Sequence, residues 1–148
     1  AAITRLLGGK TDIVMMLNGA LAGLVAITAE PLTPGPITAM IIGSIGAVIM
    51  YFGTKMLEGF GIDDVVGAIP VHMFAGIFGT LVVPFTNADT SLGTQFVGTL
   101  SVVLFSFVLS YLVFMAMKVT IGLRISKAAE KLGTDKAEVG VIAYSIRD

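Results

Sequence analysis

Four apolar runs, each close to the length of a membrane-spanning helix, dominate this chain. They cover residues 12–29, 37–56, 65–83 and 94–117, and a helix needs about 20 residues to cross a bilayer core. Charged residues make up only 13% of the chain, whereas soluble domains contain about 25%. We therefore predict an all-α integral membrane protein, with four transmembrane helices within residues 1–125 and a cytoplasmic tail at residues 126–148.

The lysines and arginines predict an orientation for these helices. All nine lie before the first run, at the end of the second, or after the fourth. They are Arg5, Lys10, Lys55, Lys118, Arg124, Lys127, Lys131, Lys136 and Arg147. Four crossings place all of them on one side, and the positive-inside rule makes that side cytoplasmic. We expect both ends of the chain to be cytoplasmic, with exterior connections at residues 30–36 and 84–93.

Small residues recur at helical spacing in three of the runs. Gly19 and Gly23, Gly43 and Ala47, and Ala75 and Gly79 each stand four residues apart. This spacing lets helix backbones approach closely in lipid, although any run rich in glycine and alanine also contains such pairs by chance. The pattern favours a compact helix bundle and does not indicate a particular function.

His72 is the only histidine in the chain, and it lies inside the third apolar run. An ionisable side chain at membrane depth is costly, so it usually faces a bundle interior or a water-filled path. Imidazole also changes its charge near physiological pH, which suits a group that handles protons. The alternative is a packing histidine that donates to a carbonyl of a neighbouring helix.

Pro70 precedes His72 by two residues and lacks a backbone N–H. We expect it to bend or open the third helix just before His72, because its ring crowds the carbonyl of Val66. On a regular helix, His72 would share one face with small and apolar residues. That face consists of Val65, Ala68, His72, Ala75, Gly76 and Gly79. It fits either the wall of a narrow apolar conduit or a tight helix–helix seam.

The residues that carry enzyme, metal and nucleic-acid chemistry are scarce. The chain has no cysteine and one histidine, too few for a structural zinc site, so we expect no metal and no cofactor. No nucleophile–base pair, phosphate-binding loop or basic patch with interleaved aromatics occurs, so we expect neither an enzyme nor a nucleic-acid partner. Asp63 and Asp64 are more consistent with interface or helix-start carboxylates than with catalysts.

Several ordered motifs resemble the ammonium transporter (Amt/Mep/Rh) family. Asp63-Asp64, His72, Gly76 and Gly79 are similar to the span that carries the second of the family's paired pore histidines. The stretch from Asn18 to Ala29, which ends in the sequence GLVAITA, resembles a preceding span. The last span ends in Gly122-Leu-Arg124, and the tail is matched in spacing by Gly133, Asp135, Gly140 and Ala143-Tyr144. These motifs extend over roughly residues 11–144.

The resemblance implies that the chain corresponds to the last four of eleven spans in a homotrimer with one pore per protomer. His72 would be the second pore histidine, with Ala68 and Gly76 beside it in the pore. Asp63 and Asp64 would lie at the cytoplasmic mouth. The implied partners are ammonium or ammonia, the lipid bilayer of the cell (inner) membrane, the remaining spans of the transporter and a PII-type regulatory protein at the tail.

Two other functions are compatible with these residues. One is a membrane ammonium sensor on the same fold, which signals to a cytoplasmic partner; the other is an unrelated four-span scaffold. Three positions also depart from the family pattern: Gly67 stands where an acidic residue is common, Pro70 stands close before the histidine, and Val139 stands where a histidine is common. None of these departures removes the imidazole.

Overall fold

The computed structural model describes residues 1–142, and within them all regular structure is helical. This result confirms the all-α prediction; Ala143-Tyr144 lies outside the described residues. In chain order the elements are α1 (Ala2–Gly8), α2 (Ile13–Thr28), α3 (Pro36–Gly59), a π-helical segment (Ile69–Phe74), α4 (Ala75–Val82), a 3₁₀ turn (Val83–Phe85), α5 (Leu92–Thr120), α6 (Lys127–Leu132) and a second π-helical segment (Asp135–Val139).

Three of the four predicted runs coincide closely with helices, and the third differs. Asp12 caps α2 by accepting a hydrogen bond from the Met15 N–H at 3.0 Å, as expected of a residue at this position. The third run is helical over Ile69–Phe85, four residues later than its predicted start at Val65. By length and composition, α3 and α5 are long enough to cross a membrane, whereas α2 and Ile69–Phe85 are shorter apolar helices.

The chain divides into two compact units, of which residues 1–102 form the first. Within it, α2 and α3 meet through glycine. A Cβ atom added to Gly23 would stand 3.1 Å from the carbonyl oxygen of Gly43, and one added to Gly46 would stand 2.6 Å from the Ala26 Cβ. Gly19 faces Ala47 in the same way, at 3.8 Å. These distances confirm that the small-residue pairs of the first two runs are contacts between helices.

The helix at Ile69–Phe85 packs against both α2 and α3. Val71 and Ala75 are buried in one apolar cluster with Ala22 of α2 and Met50 of α3. Further along, a Cβ atom on Gly79 would collide with the backbone of Ala26. Gly53 of α3 makes room for the ring of Phe74 and for Pro70. Close packing of this kind replaces the hydrophobic driving force that is absent between helices in lipid.

Two sets of contacts identify which connections lie at the same end of the bundle formed by α2, α3 and the helix at Ile69–Phe85. Asn87, after the 3₁₀ turn, donates from its amide to the carboxylate of Glu30, after α2, at 3.0 Å. Lys10 and Lys55 both line a cavity of about 270 Å³, together with Asp12. The two lysines therefore lie at one end, and both predicted exterior connections lie at the other, as the charge pattern requires.

The second unit begins at Val103 and contains most of α5 and the tail. No residue of α5 is buried within the described part of the chain, and apolar side chains cover the helix on all sides. Ser126 caps α6 by accepting from the Ala129 N–H at 3.2 Å. The Arg124 guanidinium donates to Glu130 at 2.6 Å and holds the pKa of that carboxyl below its usual value.

Candidate functional site

His72 lies in the π-helical segment, where its side chain is exposed in this chain. Its neighbours on the packed side are not: Val71 is 2% exposed and Ala75 is fully buried. Neutral imidazole offers one hydrogen-bond donor and one acceptor, and within residues 1–142 the His72 side chain makes no hydrogen bond. The packing alternative, a histidine that donates to a carbonyl of a neighbouring helix, stays a prediction for the full-length protein.

Asp64 starts the helix that carries His72. Its carboxylate accepts from the N–H groups of Ala68 at 2.9 Å and Ile69 at 2.8 Å. Pro70 has no N–H, and the Val71 N–H donates to the Gly67 carbonyl at 3.1 Å. Every donor of the first turn is thus accounted for, although the first N–H groups of a helix have no partner within it.

The position of Pro70 corrects one sequence expectation. Pro70 lies in the first turn of the helix, where a proline costs little, and not in the interior where it would bend a continuous helix. The backbone is nevertheless opened, because the Ala75 N–H donates to the carbonyls of both Pro70 and His72. The widened turn contains His72 itself and does not precede it.

The predicted face of six residues is also wrong, because it assumed a regular helix from Val65 onward. Val65 stands in the turn before the helix and is 83% exposed. Ala75 and Gly79 are buried in the contact with α2. Ala68 and His72 are exposed, and Gly76 is half-buried, with its Cβ position 3.6 Å from the Val25 side chain.

The structure gives a contact to one polar residue that the sequence analysis named only as part of a family motif. The side-chain amide of Asn18, in α2, donates to the carbonyl oxygen of Val66 at 2.9 Å. Gly67 has a positive φ of 74° and is buried. A Cβ atom at this position would lie only 2.6 Å from the side-chain nitrogen of Asn18. A polar amide inside the otherwise apolar run at residues 12–29 was the available signal.

The two acidic residues before the helix have different environments. Asp64 is half-buried and its carboxylate accepts the two hydrogen bonds at the start of the helix, whereas Asp63 is exposed. Both line a cavity of about 190 Å³ that also contacts Glu58 and Pro70. No group of three histidine, aspartate or glutamate side chains that could hold a metal ion occurs within residues 1–142.

The opposite end of the unit contains a carboxylate with a perturbed titration. The Asn87 amide and, secondarily, the Leu32 N–H hold the pKa of Glu30 below its ordinary value. Both donate to the ionised form, at 3.0 and 3.2 Å, and such bonds favour the charged state. The connection after α2 is therefore held to residue 87 most firmly when Glu30 is ionised.

Comparison with known proteins identifies the group of proteins to which these helices belong. A sequence profile described as the Ammonium Transporter Family matches residues 1–144. The chain belongs to this family. It is 37% identical to Ammonium transporter Amt2 of Archaeoglobus fulgidus, with 97% of this chain and 35% of that protein aligned. It is 38% identical to a putative ammonium transporter of Synechocystis, over 88% of this chain and 30% of that protein.

A third relative is Ammonium transporter Amt2 of Methanocaldococcus jannaschii, 32% identical over 96% of this chain and 36% of that protein. The chain therefore spans about a third of the length of these curated relatives. Their names describe transporters and not enzymes. Family membership and the apolar helices together place the chain in a membrane.

Proposed function

We propose that this chain forms the distal part of an ammonium transporter protomer, in which His72 lines a narrow apolar conduit between Ala68 and Gly76. The observation that carries the proposal is the contrast between the exposed imidazole and the buried Val71 and Ala75 beside it. The helix uses its apolar neighbours to pack and presents its one ionisable group on another side. Since the chain belongs to a family of ammonium transporters, we propose that the face with His72 lines the transport pathway.

The chemistry of the conduit follows from the cost of moving a charge into a low dielectric. An ion pays several kcal/mol there even after the protein relaxes, whereas neutral ammonia avoids most of this cost. Ammonia still needs hydrogen-bond partners, and an imidazole provides both a donor and an acceptor. The conduit would therefore conduct ammonia, with or without a relayed proton, and exclude potassium, which cannot lose its charge.

Asp63 and Asp64 would lie at the cytoplasmic mouth of this conduit. Asp64 would act structurally, because both of its oxygens accept N–H groups at the start of the His72 helix. Asp63 is exposed and would attract cations to the opening. We place the mouth on the cytoplasmic side because Lys10 and Lys55 lie at this end of the unit and positive residues favour the cytoplasm.

The remaining parts of the transporter would come from outside this chain. We propose that preceding spans of the same polypeptide complete the conduit, that the protomers form a homotrimer, and that both ends of this chain face the cytoplasm of the cell (inner) membrane. A PII-type protein would bind at the tail. The relatives named above are transporters, so no observation favours the sensor alternative.

Substitution of His72 tests this proposal in the full-length protein reconstituted in liposomes. We expect His72→Ala to lower ammonium uptake about fivefold or more, or to admit potassium, since a lost hydrogen bond to the permeant species is worth about 1 kcal/mol or more. His72→Gln keeps a donor and an acceptor but cannot relay a proton, so it should retain uptake better than it retains current.

Met73→Ala is the matched control, because Met73 is exposed in the same π-helical segment. It should leave uptake and potassium exclusion unchanged. The thermal stability of each variant is measured on the same preparation. Unchanged uptake and selectivity in His72→Ala, accompanied by lower stability, would assign the histidine to packing and reject the conduit.

A further inference from the structure

Asn18 joins α2 to the turn that precedes the His72 helix. Its side-chain nitrogen donates to the Val66 carbonyl at 2.9 Å across 48 residues of sequence. Most of α2 is apolar, so a side-chain amide at this position costs free energy unless it is hydrogen-bonded. The contact lies six residues before His72, in the turn that leads into the same helix.

The turn that receives this bond is closed by its own hydrogen bonds. The Gly67 N–H donates to the Asp64 carbonyl at 3.1 Å, and the Val71 N–H donates to the Gly67 carbonyl at 3.1 Å. The Asp64 carboxylate takes the Ala68 and Ile69 donors. The Val66 carbonyl is left outside this internal network, and Asn18 is the side chain that satisfies it.

Gly67 makes the approach of Asn18 possible. Its φ of 74° is a conformation that other residues rarely adopt. A Cβ atom at this position would stand 2.6 Å from the Asn18 nitrogen, closer than any unstrained contact. Two features of one residue, its backbone conformation and its missing side chain, therefore serve the same hydrogen bond.

Asn18 is the polar member of a stripe that holds the His72 helix along its length. Residues 18, 22 and 26 lie on one face of α2 because they are four apart. Ala22 packs in the cluster with Val71 and Ala75, and Ala26 meets Gly79. Contacts between small apolar surfaces permit sliding and rotation, whereas a hydrogen bond has a narrow range of distance and angle.

We propose that Asn18 is a positioning residue for His72: its bond to Val66 fixes the axial register and rotation of the helix, and thereby the selectivity of the conduit. This inference rests on the proposed function of His72. Asn18 makes no hydrogen bond to His72 within the described residues; it acts through the Val66–Gly67 turn. His72 lies in a π-helical segment, a rare geometry that is frequent at functional sites.

The test compares Asn18→Asp and Asn18→Ala in the full-length protein in liposomes. Asp has the shape of Asn but its carboxylate cannot donate to Val66, so a packing role predicts a mild effect and the proposed role a severe one. Thr28→Ala is the control on the same helix, because the Thr28 hydroxyl bonds only locally, to the Leu24 carbonyl at 2.6 Å.

Two measurements are made on each variant. Amide hydrogen exchange should become about fivefold faster at residues 66–69 and 71 in both Asn18 variants, the factor that corresponds to one lost hydrogen bond, and remain unchanged in Thr28→Ala. The ratio of ammonium to potassium permeation should fall in both Asn18 variants. In a His72→Ala background, Asn18→Asp should cause no further loss of this ratio, because a positioning residue acts through the residue that it positions.

Each outcome decides the matter. Exchange in Asn18→Asp that is no faster than in Thr28→Ala shows that the bond does not hold the turn and overturns the proposal. Faster exchange with unaltered permeation, or an equal loss of selectivity with and without His72, also overturns it. The proposed function fails on a different result, namely unaltered transport in His72→Ala alone, so the two failures are distinguishable.

Discussion

The contact between α2 and α3 allows a quantitative prediction for Gly46. An added methyl group would stand 2.6 Å from the Ala26 Cβ and 2.9 Å from the Ala22 carbonyl oxygen. Neither atom can move away by a change of side-chain rotamer, so Gly46→Ala must separate the helices. Overpacking of this kind costs about 1–3 kcal/mol, and the better helix propensity of alanine returns about 0.5–1 kcal/mol. We expect a net loss of about 1–2 kcal/mol of unfolding free energy.

Gly59→Ala is the matched control, since Gly59 is the last residue of the same helix and nothing lies within 4 Å of its Cβ position. It should be neutral or slightly stabilising, because only the propensity term acts. Both variants of the full-length transporter are titrated with a denaturing detergent in mixed micelles, and the midpoints are compared at constant slope.

Equal midpoints for the two variants, or a more stable Gly46→Ala protein, would refute the reasoning. That result would mean that α2 and α3 can separate without loss of free energy by the roughly 1 Å that relieves a carbon–carbon contact of 2.6 Å. A control at the opposite extreme is Gly79→Ala, where the added atom would collide with the Ala26 backbone. Its loss should be at least as large as that of Gly46→Ala.

Two further predictions concern the pH dependence of the Glu30 contact and the orientation of the chain in the membrane. Since the folded pKa of Glu30 lies below its ordinary value of 4.5, its bond to Asn87 stabilises fully above that value and is lost as the pH falls through the lowered pKa. Glu30→Gln should therefore flatten the loss of thermal stability on acidification, measured by melting at pH 3–6. For orientation, cysteines introduced at Thr33 and Ser91 should react with an impermeant thiol reagent from outside, and one at Ser126 should not; the reverse pattern contradicts the charge-based orientation.

The sequence was most informative where one signal determined one structural feature. Asp12 caps α2, and a carboxylate directly before an apolar run is a local signal for such a cap. Gly23 and Gly43 were each predicted to belong to a small-residue pair that lets helix backbones approach closely, and the structure brings the two glycines into contact. All-helical structure followed from the length of the apolar runs, since a spanning segment must satisfy its own backbone groups.

The third helix was predicted less well, because its start depends on long-range contacts. Val65 by itself is compatible with a strand or a helix. The helix nevertheless begins after it, because Gly67 has a positive φ and the Asp64 carboxylate caps the N–H groups that follow. A sequence pattern cannot reveal a π-helical turn, which widens the helix by one residue and changes which side chains share a face. The bond from Asn18 to Val66 joins residues 48 apart, beyond the reach of any local rule.

The glycine and alanine seam of α2 has a consequence for the entropy of assembly. Burying a leucine or methionine costs about 0.5–2 kcal/mol in lost rotamers, whereas glycine and alanine have none to lose. The residues that meet across the seam, Gly23 with Gly43 and Ala26 with Gly46 and Gly79, therefore come together without ordering any side chain. The van der Waals attraction between the two backbones is therefore offset by almost no loss of side-chain entropy. It can stabilise the helix contact in lipid, where no hydrophobic effect drives helices together.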